Sequence, residues 1–120
     1  MTFDLFVGID WSGARGEMHR GISVFAAERG DAPPRPVSPP DGAKRWSRPA
    51  VMDYLQHASE TKQVLAGIDF AFAHPFHDSG SYYPNATGSP DNPRGLWQLI
   101  DEINLQQPYL YGGAIWDDAE

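Results

Sequence analysis

Two short apolar runs with the same ending organise the pattern of hydrophobic and polar positions along the chain. Residues 7–11 (VGIDW) and 66–70 (AGIDF) each end in Gly-Ile-Asp followed by an aromatic residue. A run of four to eight apolar residues bounded by polar or turn residues predicts a buried strand. The first run, residues 4–10, is nearly continuously apolar. This pattern predicts a central strand that is buried on both faces.

The next 40 residues predict a hairpin partner, a weak edge strand and a helix. A second strand is expected at residues 21–27, paired with the first, because Ile22, Val24 and Phe25 give it apolar character. Prolines crowd the segment that follows, so only a short edge strand fits there, around residues 35–37. Ser47 is a candidate N-cap for a helix at residues 48–59. The apolar positions of this helix at helical spacing are Val51, Met52, Leu55 and Ala58.

The second half of the chain predicts one more strand, a long loop and a second helix. The strand is expected at residues 63–69 and the polar, glycine-rich loop at residues 79–93. Asn92 or Asp91 is a candidate cap for a helix that runs to about residue 105, with Pro93 in its first turn. A short strand is expected at residues 109–111. The helix residues expected in the core are Leu96, Trp97, Ile100 and Ile103.

The order of these elements predicts a single α/β domain with a mixed sheet and helices packed on it. The first helix serves as the crossover that places residues 63–69 parallel to an earlier strand. If that earlier strand is the first one, Asp10 and Asp69 lie at the same carboxyl edge. This edge is where open α/β sheets bind their ligands.

Asp10 and Asp69 are therefore the main candidates for a functional site. A carboxylate at the end of a buried strand is costly unless it is compensated. One hypothesis is that the two acids face each other and hold a divalent cation or a phosphate–metal complex. The alternative is that each acid caps nearby backbone amides. Paired acids at strand ends mark sites often but not always.

The composition limits the class of protein and the chemistry. The chain of 120 residues has no cysteine, which excludes disulfides and thiolate metal sites. No apolar run approaches the roughly 18 residues that span a bilayer, so no membrane partner is expected. The N-terminal residues lack the pattern of a signal peptide, and we expect a cytoplasmic protein.

The charge is −7 and unevenly distributed, because residues 61–120 contain only two bases, Lys62 and Arg94. Non-specific nucleic-acid binding requires cationic surface. Nucleic acid thus stays possible but is not favoured, and a small phosphate-containing substrate is slightly preferred. The basic cluster at residues 44–48 is expected to contact phosphate or to form a solvated helix start.

Residues 7–13 followed by a hairpin, and residues 65–72 followed by Pro75, resemble the ribonuclease H-like superfamily. The closest likeness is to a bacterial family of unknown function within it, and it covers about residues 4–76. In this superfamily the first and fourth strands each carry an acid, which correspond here to Asp10 and Asp69. The resemblance implies a hydrolase or nuclease that binds Mg²⁺ or Mn²⁺. In the actin-like branch, the loop after the first acid contacts phosphate, which corresponds to residues 12–16.

The chain departs from the superfamily pattern in two ways. The nucleases need a third and often a fourth acid, and the first helix offers only Asp53 and, just past it, Glu60. The chain also looks like the N-terminal half of a longer family member. These departures put catalysis in doubt, so an inactive domain is the alternative to an enzyme.

The enzyme hypothesis assigns Asp10 and Asp69 to the metal and to catalysis. His74 would orient a water or bind the leaving oxygen, although a histidine beside a proline at a strand exit is more often structural. Ser12 and the amides near Gly13 would hold a phosphate oxygen. Trp11 would stack a base, with a core position as its alternative. His19 and His57 are expected on the surface.

The alternative hypothesis is an association module. An incomplete sheet leaves an unpaired edge that invites another chain, so a homodimer is expected in this case. The tyrosine-rich loop at residues 81–84 and the C-terminal Trp116 would suit such contacts.

Overall fold

A computed structural model describes residues 2–69 and 76–114 of the chain. These residues form a small α/β protein with a mixed four-stranded sheet and two α-helices. The strands lie in the order β3-β2-β1-β4. The strands are β1 (Leu5–Asp10), β2 (Ser23–Glu28), β3 (Arg35–Pro36) and β4 (Val64–Ile68), and the helices are α1 (Arg48–Ser59) and α2 (Pro93–Asn104). Short 3₁₀ turns lie at Pro40–Gly42 and Pro108–Leu110.

The chain divides into two compact units. The described residues of Met1–Phe70, together with Pro108–Leu110, form the first unit. Those of Ala71–Gln107, together with Tyr111–Glu120, form the second. The whole sheet and α1 belong to the first unit, which also contains Asp10 and Asp69.

The strand pairing of the first unit confirms the predicted hairpin and crossover. β1 and β2 are antiparallel, with Leu5 opposite Glu28. β1 and β4 are parallel and in register, with Gly8 opposite Gly67. The two-residue β3 pairs with β2 at one edge, where its proline is tolerated.

The crossover helix α1 begins and ends at the predicted residues. Its start is predictable from the sequence because the N-cap signal is local. The Ser47 side chain accepts a hydrogen bond from the Ala50 N–H at 3.2 Å, as an N-cap does. Val51 is fully buried against the sheet. Met52, which belongs to the predicted apolar face, is 46% exposed.

The prediction that β1 is buried on both faces is wrong. Its burial alternates along the strand, with one set of side chains in the core and the other exposed. The helix α1 covers only one face, through Val51. An apolar run alone does not tell one-sided from two-sided burial. The opposite face carries Phe6, Phe25 and Leu65, which are all more than 40% exposed.

The core of the first unit lies between that covered face and α1. Its buried side chains come from both hairpin strands, from the segment before α1 and from α1 itself. They are Leu5, Val7, Ile9, Ile22, Val24, Trp46 and Val51.

In the second unit the helix α2 also follows its sequence signals. Asn92 accepts a hydrogen bond from the Gly95 N–H at 2.9 Å, which confirms the predicted cap. Leu96 is fully buried, but Trp97 is 50% exposed, so its predicted core position is wrong. Tyr82, expected on a contact loop, is instead buried with its ring 5.0 Å from that of Phe76.

The prediction of a strand at residues 109–111 is wrong as well. Pro108–Leu110 is a 3₁₀ turn in which Tyr109 and Leu110 have φ of 58° and 56°. Positive φ lies in the left-handed region, which a strand cannot use. Nothing in the local pattern requires this conformation.

Among the described residues, no helix is both long and apolar enough to cross a membrane.

Candidate functional site

The parallel pairing of β1 with β4 brings the two Gly-Ile-Asp endings together. The last paired residues are Ile9 and Ile68, and Asp10 and Asp69 follow them directly. The Asp69 N–H also donates to the Ile9 carbonyl at 3.4 Å. Neighbouring strands lie about 4.8 Å apart, so the two acids are adjacent at the carboxyl edge. The predicted pairing of Asp10 with Asp69 is thus present in the backbone.

The Asp69 carboxylate reaches across to the end of β1. Its Oδ1 accepts a hydrogen bond from the Trp11 N–H at 2.7 Å. This N–H belongs to the peptide that joins Asp10 to Trp11, so the Asp69 side chain touches the backbone of the other acid. One Asp69 carboxylate oxygen therefore caps a backbone amide, as the alternative hypothesis predicts. The second carboxylate oxygen also has lone pairs that can bind a cation.

The acids are exposed and suit a cation that keeps part of its water shell. Asp10 and Asp69 both belong to the exposed residues of the sheet edge. Mg²⁺ commonly binds through one or two carboxylates together with waters and substrate phosphates. Within residues 2–69 and 76–114, no group of three or more histidine, aspartate or glutamate residues gathers. The donor set thus fits a two-carboxylate magnesium or manganese site and not an all-protein cage.

The loop after Asp10 has its own internal order. The Ser12 hydroxyl accepts a hydrogen bond from the Ala14 N–H at 3.3 Å. Gly21 lies close to this side chain, since a Cβ at Gly21 would lie 3.4 Å from the Ser12 Oγ. Gly13 is exposed on the surface of the loop. The predicted phosphate-binding residues Ser12 and Gly13 therefore stand next to Asp10.

Two further candidates have different outcomes. Trp11 is half-buried and packs against the core cluster of the first unit. This is the core position that was the alternative to base stacking. His74 lies outside the described residues, as do Phe70 and Trp116.

A buried arginine from the basic cluster at residues 44–48 holds the loop after Asp10, and its predicted solvated position is wrong. Arg48 is the first residue of α1 and is only 2% exposed. Its Nε and Nη2 donate to the Ser12 carbonyl at 3.0 and 2.8 Å, and Nη2 also donates to the Ala14 carbonyl. Its Nη1 donates to the Tyr109 carbonyl at 3.1 Å. Arg48 thus joins the loop, α1 and the turn at Pro108–Leu110.

A buried histidine lies on the same loop, and its predicted surface position is wrong. His19 is 3% exposed, and its backbone N–H donates to the Trp46 carbonyl at 2.9 Å. Among the described residues its Nε2 has no hydrogen-bond partner. Burial lowers the pKa of His19, and the nearby Arg48 charge lowers it further. A hydrogen bond to the Gly16 backbone partly opposes both. His57, in contrast, is on the surface as predicted.

One sequence signal points to Arg48. A cation in the first turn of a helix opposes the helix dipole, so acids are normally favoured there. Arg48 directly follows the N-cap Ser47 and breaks this local rule. Such breaks are expected where tertiary structure or function requires them. No comparable signal marks His19.

Comparison of the chain with protein-family models, curated proteins and solved structures finds no match.

Proposed function

We propose that this chain is a ribonuclease H-like domain that hydrolyses a phosphoester with the help of Mg²⁺ or Mn²⁺ held by Asp10 and Asp69. The observation that carries the proposal is the 2.7 Å hydrogen bond from the Trp11 N–H to the Asp69 carboxylate. It puts the second acid directly against the backbone of the first. The parallel β1–β4 register supports the same adjacency.

Each residue near the acids has a distinct role in this proposal. Asp10 and Asp69 would bind the ion, and when bound it supplies Lewis-acid activation of the phosphoester and of a water. The Gly13 N–H would donate to a phosphate oxygen, because backbone amides of such loops bind anions. The Ser12 hydroxyl accepts from Ala14, which holds the loop closed beside Asp10. Trp11 positions the chain through its contact with Asp69.

The charge distribution favours a small substrate over a long nucleic acid. The chain carries a net charge of −7, and an extended polyanion needs many cationic contacts. A bound divalent ion would offset the two local acids without changing the rest of the surface. We therefore infer that the substrate has few phosphate groups.

Metal binding tests this proposal directly. Mg²⁺ and Mn²⁺ would be titrated by calorimetry into the wild type and into Asp10→Asn/Asp69→Asn. We expect saturable binding in the wild type and its loss in the double variant, since the ligand oxygens lose their charge. Asp31→Asn/Asp101→Asn removes the same charge from two other exposed acids and should bind like the wild type.

Absence of binding at millimolar metal in a folded wild type would contradict the proposal and make the acids structural. Equal binding by all three proteins would show that the ions attach elsewhere. Phosphodiesterase and phosphomonoesterase substrates would be screened after binding is established.

A second candidate function is association with another chain, which the open side of the sheet favours. β4 pairs only with β1 in the described residues, and its sequence VLAGI contains no charge and no proline. Uncharged edge strands readily accept another strand. Phe6 and Leu65 add exposed apolar surface on the adjoining face. In this case the two acids would be structural.

A further inference from the structure

Arg48 lies directly beneath the loop that the proposed site requires. It is 2% exposed, and three of its hydrogen bonds end on the carbonyls of Ser12 and Ala14. Bringing a guanidinium out of water is costly unless its N–H groups are hydrogen-bonded. A buried apolar side chain could fill the space beneath this loop. The chain instead places a guanidinium there, whose five N–H donors have a fixed planar geometry. The guanidinium determines the direction of the peptides that it contacts.

The contacts with Arg48 orient two amide groups away from the protein interior. The described peptide bonds are all trans, so the N–H of each peptide points opposite to its carbonyl. The Ser12 carbonyl faces Arg48, and the Gly13 N–H therefore faces the other way. The Ala14 carbonyl likewise faces Arg48, which turns the Arg15 N–H outward. Both Gly13 and Arg15 are exposed residues.

These outward amides lie three and five residues after Asp10. The intervening Ala14 N–H turns back to the Ser12 hydroxyl, so it does not share their direction. Oriented loop amides bind anionic oxygens in many proteins. The amide of Gly13 thus presents a donor on the side of the loop that a phosphate can reach.

We infer that Arg48 is the positioning residue of the proposed phosphoester site. Its guanidinium holds the Ser12 and Ala14 carbonyls so that the Gly13 amide stays aimed at a phosphate group beside Asp10. This inference rests on the proposed function, because it assigns Arg48 a role in that same site. Arg48 itself touches neither the phosphate nor the ion.

Phosphate titration followed by ¹H–¹⁵N NMR tests this role, with and without Mg²⁺. In the wild type, inorganic phosphate should shift the Gly13 amide, and the Arg48 Nε–H should shift with it. Arg48→Lys keeps the positive charge but loses the planar guanidinium. The affinity for phosphate should therefore fall about tenfold or more, as metal affinity does when hydrogen bonds that support the ligands are removed. The Mg²⁺-induced shifts of Asp10 and Asp69 should persist in this variant. Arg48→Met should behave in the same way.

Arg29 offers a matched control. Its guanidinium donates to the Phe3 carbonyl and to Asp4, at the opposite end of β1. Arg29→Met should therefore leave the phosphate affinity unchanged. If Arg48→Met does not fold, Arg48→Lys and the wild-type Arg48 Nε–H signal decide the question.

The results separate the two proposals. Wild-type phosphate affinity in Arg48→Lys, or no phosphate shift at Gly13 in either condition, would overturn the role of Arg48. Absence of any Mg²⁺-induced shift at Asp10 and Asp69, with the phosphate response intact, would overturn the metal-dependent function alone.

Discussion

Single buried polar residues control the conformation of the loop between β1 and β2. Arg48 binds the carbonyls of Ser12 and Ala14, and His19 lies buried on the same loop. The positive charge of Arg48 lowers the pKa of His19, in addition to the effect of burial. Protonation of His19 would therefore place a second cation in a buried site.

Stability should decrease in mildly acidic solution because of His19. Its pKa in the fold is lowered from 6.5, so the unfolded chain takes up the proton first as the pH falls. The stabilising contribution of neutral His19 is complete above pH 6.5 and is lost as the pH falls below that value toward the folded pKa. Urea unfolding at several pH values would measure this loss.

His19→Asn should reduce the pH dependence of the free energy of unfolding below pH 6.5, because the asparagine amide does not titrate. His57→Asn should leave it unchanged, since the His57 side chain is 87% exposed. A pH dependence that is the same in His19→Asn and the wild type would assign the effect to other groups.

At the scale of the element, α1 connects the sheet to the candidate site. Its N-cap Ser47 fixes where the helix begins, and the next residue, Arg48, reaches the loop after β1. Its middle packs Val51 into the core. A change at the cap thus affects both the stability of the helix and the place from which Arg48 reaches its partners.

Ser47→Ala should destabilise the protein by about 1 kcal/mol, because the Ala50 N–H loses its side-chain acceptor. Chemical denaturation monitored by circular dichroism would measure the change in the free energy of unfolding. Ser59→Ala is the matched control at the other end of α1, where the hydroxyl donates to the exposed Gln56 carbonyl. It should change the free energy of unfolding by less than about 0.5 kcal/mol. Equal effects of the two substitutions would contradict the capping role.

At the scale of the whole molecule, the sheet of the first unit has a carboxyl edge that carries two acids, and an open side. The acids lie at the carboxyl ends of β1 and β4, whereas β4 also forms the outer strand of the described sheet. Exposed apolar side chains on one face, Phe6, Phe25 and Leu65, adjoin this strand. The proposed metal-dependent function and the proposed association would therefore use different parts of the same strand, and substitutions can separate them.

Ala66→Pro should prevent association through β4 and leave the β1–β4 pairing intact. The Asp69 N–H and the Gln63 carbonyl both point to β1, so by alternation the Ala66 N–H points to the open side. Proline removes this donor and is tolerated at an edge. Sedimentation over a range of concentrations would compare the variant with the wild type.

Leu65→Gln is the companion variant, because it changes the apolar face and not the edge backbone. If the edge mediates association, Leu65→Gln should still associate and Ala66→Pro should be monomeric. A wild type that is monomeric at every concentration would contradict self-association through β4.

The sequence alone determined most of the local elements, whereas the tertiary structure decided that β4 lies beside β1 and so brings the two acids together. The strand ends at Asp10 and Asp69 and the start of α1 at Ser47 follow from hydrophobic periodicity and capping, which depend on neighbouring residues. A helical crossover allows parallel pairing but does not by itself decide which strand becomes the neighbour. Only the tertiary structure decided that β1 is covered on one face and that Arg48 and His19 are buried. Burial of a side chain depends on residues distant in sequence that pack over it, and the local sequence pattern does not specify those residues.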